Sequence, residues 1–348
     1  MKILPVLGAK AAGGAELFFI RLLRQMHQTE NTQLHAAVRK NSWAADQLQQ
    51  AGIPYTPLPF GGRLDMRTKP RLRTLIQQEH PDVILGMMNR ACRNIPQVAV
   101  PRVGRLGGYY NLKNFRNMDH LICITPDLRQ YCIDQGWPAE KVHFIPNFVE
   151  EPAPTTADDR TTARQAYNLP DDAFVCIMGG RLHQVKGIDT TLHALAHLPE
   201  HIHGLFVGSG PAETELKQLA TDLGIAHRTH WVGWLYPITP AAQAADAWLM
   251  PSRHEPFGSS MLDAWAHQLP LIASNVDGPR HLLTDKKNAL MIPPDDPAAL
   301  AAAIQTLATD AASVQTLAQA GHAQYQAAHT PAKVTENYLN FFDSIRKK

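Results

Sequence analysis

No run in the 348-residue chain approaches the roughly 18 to 20 consecutive apolar residues that a bilayer span requires, and the alanine-rich stretch 298–304 falls far short of it. The first eight residues, Met1 to Gly8, are too brief for the apolar core of a signal peptide and are followed by no small-residue cleavage site. The expected location is therefore the cytoplasm. Cysteine is scarce: Cys92, Cys123, Cys132 and Cys176 form no CxxC pair. This excludes a disulfide scaffold and any recognisable zinc spacing, and predicts reduced, buried thiols. Charged residues are 18% of the chain, and its 26 Pro and 22 Gly are spread along it, which excludes disordered, collagenous and coiled-coil classes.

What is present is an ordinary globular composition, 45% apolar, on a chain long enough for two domains with two cores. The formal charge of +2 hides an asymmetry. Residues 1–150 hold 19 Lys and Arg against 11 Asp and Glu, whereas the rest hold 14 against 20. The basic half suits an anionic substrate or membrane surface, and it equally fits a solvated face that happens to differ.

Short apolar runs alternate with helical patterns. Residues 3–7, 35–38, 82–85, 120–124 and 142–145 read as buried strands, and 15–26, 43–50 and 126–135 as helices. This βαβ rhythm predicts a parallel, doubly wound sheet. The stretch 150–159 has two prolines and no periodicity, and reads as a linker. The rhythm then restarts, with strands at 173–178, 202–207, 247–250 and 271–273 and helices near 187–198, 212–223 and 259–267. Helices at 298–307, 311–328 and 335–345 complete the chain. The expectation is α/β: two Rossmann-like domains at 1–150 and 151–330, then a C-terminal helical segment, 331–348.

Three motifs could carry chemistry. Gly13-Gly14 follows the first strand at the mouth of a helix, where backbone N–H groups favour phosphate; alone, the pair reads better as a plain glycine turn. Gly179-Gly180-Arg181-Leu182-His183-Gln184-Val185-Lys186-Gly187 puts two cations on a glycine-rich connection at the carboxyl end of a strand, a place where α/β sheets bind ligands and where Arg181 and Lys186 would suit a diphosphate; alone, the segment equally fits two solvated loop charges. In Ser252 to Trp265, Pro256 and Gly258 break the chain ahead of a helix starting near Ser259. Glu255 then lies on the entry loop and Asp263 about one turn into the helix, so both carboxylates could accept from sugar or ribose hydroxyls while the N–H groups of Ser259, Ser260 and Met261 meet phosphate; the alternative is that Glu255 is a loop charge and Asp263 a solvated helical residue.

In this order and spacing the three motifs resemble the retaining glycosyltransferases of the GT-B fold, family four (glycosyltransferase group 1). The wording around Glu255 to Trp265 is similar to bacterial enzymes that build lipopolysaccharide or other surface glycans. The resemblance implies two Rossmann-like domains facing a central cleft, the first on the acceptor side and the second holding the donor, with the last helix crossing back to the first. It further implies transfer of a sugar from a nucleotide-diphosphate sugar to a saccharide or lipid-linked acceptor, with no metal ion, no cofactor and no nucleic-acid partner.

Carried over residue by residue, Arg181 and Lys186 would neutralise the diphosphate and Glu255 would lie near the donor sugar; these three are the expected catalytic set. Asp263 would bind the ribose, where the family usually has Glu. Gly13, Gly14, Gly233, Phe257, Gly258, Ser259 and Ser260 are the other expected donor contacts. Gly107, Gly108 and Tyr109 lie where related enzymes often carry a His-containing loop. This chain has no His there, and the three are expected on the acceptor side, Tyr109 equally as an ordinary loop aromatic.

Weaker features stay open. Asp295-Asp296 reads better as a helix cap than as half of a metal motif, His193 and His197 as surface or core residues, and Trp231 to Trp234 as core or as a border of the nucleobase. Lys69, Arg71 and Arg73 make a basic helical segment that suits either solvent or peripheral contact with an anionic membrane, at the inner face of the cytoplasmic membrane. A nucleotide-sugar epimerase on the same fold, or a non-catalytic nucleotide-sugar-binding protein, are the alternatives. The second has no need of Arg181, Lys186 and Glu255 in register.

Overall fold

The computed structural model of the chain describes residues 1–62 and 65–346. The chain divides into two units: Met1–Val149 with the chain from His329 onward, and Glu150–Ala328. Lys347 and Lys348, the end of the segment expected at 331–348, lie outside the described residues.

In the first unit the strands are β1 (Lys2–Leu7), β2 (Gln33–Leu34), β3 (Ala36–Arg39), β4 (Tyr55–Leu58), β5 (Val83–Met87), β6 (Arg102–Leu106), β7 (His120–Cys123) and β8 (Val142–Phe144). They pair in parallel in the order β4-β3-β1-β5-β6-β7-β8, with β2 beside the start of β1. Ile3, Leu4, Val6 and Leu7 are all fully buried, as expected for a strand covered by helices on both faces. The chain leaves β1 in one direction, through β3 to β4, and then runs from β5 to β8 in the other. The strand order therefore reverses between β1 and β5, and open sheets place ligands outside the carboxyl ends of such a pair.

The last helix, Pro331–Ile345, belongs to this unit. It begins four residues before the expected Thr335, because Pro331 fits the first helical turn and the Thr330 hydroxyl accepts from the Lys333 N–H at 3.4 Å. Val334, Tyr338 and Phe342, one turn apart, fill a core with Phe18 and Phe148. Phe18 meets Phe148 edge-on at 5.3 Å.

The second unit has β9 (Phe174–Gly179), β10 (Ile202–Val207), β11 (Thr229–Gly233), β12 (Ala247–Met250), β13 (Leu271–Ser274) and β14 (Leu290–Ile292). They too are parallel, in the order β11-β10-β9-β12-β13-β14. Here the order reverses between β9 and β12. The stretch 150–159 is not all linker: the helix Ala157–Ala166 starts inside it, because Thr156 and Asp159 form a reciprocal capping box. The helix Ser259–Ala266 is anchored by Trp265, fully buried, whose indole N–H donates to the Asn288 carbonyl at 3.2 Å. Gly321 of the helix Ala311–Ala328 lies flat on the same indole, where a Cβ would overlap it. Among the described residues, no helix is long and apolar enough to cross a membrane.

Candidate active site

Two loops leave the carboxyl ends of β9 and β12, the pair at which the second sheet reverses. The first begins at Gly180, in a backbone conformation (φ 142°) that favours glycine. Leu182 is buried and its N–H donates to the Ser209 carbonyl at 3.0 Å, so the loop is pinned on either side of Arg181, which stays exposed. Gly208 and Gly210 make this close approach possible: a Cβ at either would overlap the carbonyl oxygen of Gly180 or Leu182. A tight turn, Gln184–Lys186, follows, with His183 Nδ1 accepting from the Val185 N–H at 3.2 Å. Gly187 then opens the helix Ile188–Ala196 at φ 65°. A side chain at Gly187 would overlap the Pro251 carbonyl, so glycine is what lets the two loops touch.

The second loop runs from Pro251 to Gly258. Glu255 is buried, 8% exposed, and its Oε2 accepts from the Lys186 ammonium and, at 3.4 Å, from the Ser252 hydroxyl. Its carbonyl accepts from the Gly278 N–H at 3.0 Å. Gly258, at φ 85°, caps the helix Ser259–Ala266 without a side chain, and its carbonyl accepts from the Met261 N–H at 2.9 Å, so that N–H, expected at phosphate, is taken up within the turn. Gly180, Arg181, Lys186, Ser252 and Ser260 line one pocket. Two cations, a buried carboxylate and a helix N-terminus thus converge at the switch point, an arrangement suited to a diphosphate with hydroxyls beside it.

The other expected residues of this unit fall around that pocket or behind it. Asp263 is half-exposed one turn into its helix. Gly233, at φ 78°, accepts at its carbonyl from the Gly208 N–H at 2.7 Å, which ties the end of β11 to the Arg181 loop. Phe257 is 3% exposed, so its side chain belongs to the packing under the loop. Trp231 lies inside β11 and stacks on Phe206 at 4.5 Å; the aromatic at the carboxyl end of the strand is Trp234, 48% exposed. Asp296 caps the helix Pro297–Thr309, accepting from Ala299 N–H at 2.8 Å. Asp295 instead pairs with Arg253 at 2.5 Å. Ser252 and Arg253 were missed in the sequence, although both sit within three residues of Glu255.

In the first unit, Gly13 and Gly14 lie at the mouth of the helix Gly14–Gln28, which has no side-chain cap. A Cβ on Gly14 would meet nothing within 4 Å, so the loop is open there. Burial raises the Glu16 carboxyl above its usual range, against a backbone hydrogen bond that lowers it. Gly107 and Gly108 follow β6; Tyr109 is 43% exposed and meets Tyr131 edge-on at 5.2 Å. Behind them Arg105 is almost wholly buried, its Nε donating to the Tyr338 hydroxyl at 3.1 Å, its Nη2 to Asn147, and its guanidinium 4.1 Å from the Phe18 ring centre. His193 and His197 are exposed. Among the described residues, no three His, Cys, Asp or Glu side chains cluster as a metal site.

Residues 12–151 match the model of Glycosyltransferase Family 4, and residues 159–324 that of Glycosyl transferases group 1. The chain is 32% identical over 335 residues to the lipopolysaccharide core biosynthesis glycosyltransferase LpsD of Rhizobium meliloti, with 95% of each chain covered. It is 30% identical to LpsE of the same organism, covering 95% of this chain and 96% of that one. Among solved structures, Anabaena Alr3699/HepE in complex with UDP superposes with a TM-score of 0.87 at 22% identity, covering 99% of this chain and all of that one. The chain belongs to the group 1 glycosyltransferases of the lipopolysaccharide type, built on the GT-B fold.

Proposed function

We propose that this glycosyltransferase moves a sugar from a nucleotide-diphosphate sugar to a saccharide or lipid-linked glycan acceptor in lipopolysaccharide or surface-polysaccharide synthesis, with retention at the anomeric carbon and without a metal ion. The observation that carries the reading is the convergence of Arg181 and Lys186 on one pocket at the switch point of the second sheet, with Glu255 bound to the Lys186 ammonium beside it. Arg181 and Lys186 hold the diphosphate and stabilise the charge that develops as it departs, the role a metal ion fills elsewhere. Glu255 faces the donor sugar, and Asp263 accepts from the ribose. The helix at Gly258, Ser259 and Ser260 offers its N–H groups to phosphate, with Phe257 and Gly233 shaping the loops around it.

Gly13 and Gly14 offer further backbone groups to phosphate, and Gly107, Gly108 and Tyr109 form the acceptor side of the first unit. Retention follows from attack on the face from which the phosphate leaves, which needs no protein nucleophile. The UDP held by HepE supports a nucleoside diphosphate as the ligand class. The exposed side chains of Arg67, Lys69, Arg71 and Arg73, beside Met66 at 85% exposure, support contact with an anionic membrane; binding to vesicles with anionic lipid, and none to neutral vesicles, is the expected result.

Calorimetry of UDP, GDP, CDP and ADP against wild type and Arg181→Ala tests the donor site. Selective binding of one, weakened in the variant, is expected; binding of none sinks the reading. Transfer to a truncated lipopolysaccharide core, followed by NMR of the new linkage, is expected to give the donor's anomeric configuration, unchanged by EDTA. Conversion of the donor without acceptor would instead point to an epimerase.

A further inference from the structure

Arg253 is not among the groups assigned above to the donor, yet it is bound on every side. Its backbone N–H donates to the Val185 carbonyl at 2.8 Å, and Nη1 donates to the Gln184 carbonyl at 2.5 Å. Nη1 and Nη2 together grip both oxygens of Asp189, at 2.9 and 2.7 Å, and Nε pairs with Asp295 at 2.5 Å. The two carbonyls are those immediately before Lys186, and Asp189 lies in the first turn of the helix immediately after it. Asp295 reaches in from a residue in left-handed conformation (φ 57°), next to the cap of the following helix.

The loop that carries Glu255 therefore holds the Lys186 turn twice: Glu255 takes the ammonium, and Arg253, two residues earlier, takes the backbone. Burial alone would raise the Asp189 carboxyl, but the bonds and charge of Arg253, with backbone N–H groups, bring it below its usual range, so the clamp stays ionised at neutral pH. A lysine could not reproduce it, because a single ammonium cannot meet a carboxylate bidentately while reaching a second carboxylate and a carbonyl.

We infer that Arg253 is a positioning residue for diphosphate recognition, fixing the turn from which Lys186 reaches the β-phosphate. This rests on the donor reading above. The consequence is selective: removing the guanidinium loosens Lys186 while leaving the nucleoside contacts in place.

The test is a double-mutant cycle read by calorimetry, with UDP, or whichever nucleoside diphosphate wild type binds, and the matching monophosphate as control. Arg253→Gln is expected to weaken the diphosphate about tenfold and to leave the monophosphate nearly unchanged. Arg253→Lys should not restore the loss, and Arg253→Gln should cost nothing further in a Lys186→Ala background. Equal losses for both nucleotides, or losses that simply add to that of Lys186→Ala, would overturn the inference by making Arg253 a general brace or an independent contact. If Arg253→Gln does not fold, Asp189→Asn removes the bidentate acceptor and enters the same cycle. No nucleoside diphosphate binding to wild type is the separate result that removes the donor reading, and this inference with it.

Discussion

Lys186 and Glu255, 69 residues apart in the chain, meet through an ammonium and a carboxylate at the reversal point of the second sheet. The pair neutralises itself, so Arg181 is the cation of this pocket that is not already committed to a carboxylate. A diphosphate entering the pocket must compete with Glu255 for Lys186. Glu255→Gln should therefore tighten nucleoside diphosphate binding, by about threefold or more, while lowering sugar transfer at least about a hundredfold. Weaker binding in the variant would mean that Glu255 orients Lys186 and does not compete for it.

Arg181 separates binding from folding. It is exposed and has no hydrogen-bond or ion-pair partner among the described residues, so Arg181→Ala should change stability by no more than about 0.5 kcal/mol. Diphosphate affinity should fall about tenfold, as expected for a lost charge-assisted contact. A drop in melting temperature matching the loss of affinity would show that Arg181 braces the loop.

Two glycines make a contrast. Gly278 supports the Glu255 loop so closely that a Cβ would overlap the Glu255 carbonyl and crowd the backbone of Pro256 and Phe257. Gly278→Ala should destabilise by about 1–3 kcal/mol and weaken donor binding, because the atoms that must move belong to the site. Gly14→Ala meets nothing within 4 Å and should fold as well as wild type. If it also loses activity, the cause is a ligand approaching that backbone; full activity would remove Gly14 from the site.

The legible parts of the sequence were those in which local pattern and final environment agree. The segments 43–50, 202–207, 247–250 and 311–328 were read with the limits the structure has. β6 was missed because Arg102 and Arg105 break its apolar run, and the partners that let Arg105 be buried, Asn147 and Tyr338, come from 42 and 233 residues away. β4 was hidden by Pro57, tolerated because β4 is at the sheet edge. Arg181, Lys186 and Glu255 could be singled out because motif spacing marks them, and the fold sets Arg181 and Lys186 on one pocket with Glu255 bound to Lys186. Arg253 was not, because its meaning lies in Asp189 and Asp295, which only the folded chain brings to it.

Two histidine pairs predict how stability depends on pH. His203 Nδ1 lies 3.1 Å from His230 Nε2, and His120 Nδ1 lies 3.3 Å from His143 Nε2. Burial, then the neighbouring His230, Arg228 and His227, against Glu200, push His203 down to about 4. Burial, His120 and Arg129 do the same to His143. In the unfolded chain both return to the ordinary value near 6.5. Between pH 6.5 and 4 the unfolded chain therefore binds protons that the folded one refuses, and stability must fall as the pH falls through that window. Above about pH 7 these groups contribute no slope. Urea midpoints at pH 7.5, 6 and 5 should decline in wild type and decline less steeply in His203→Gln and His143→Gln, even where those variants start lower. Equal slopes in all three proteins would mean that both imidazoles take up protons in the folded state as readily as in water.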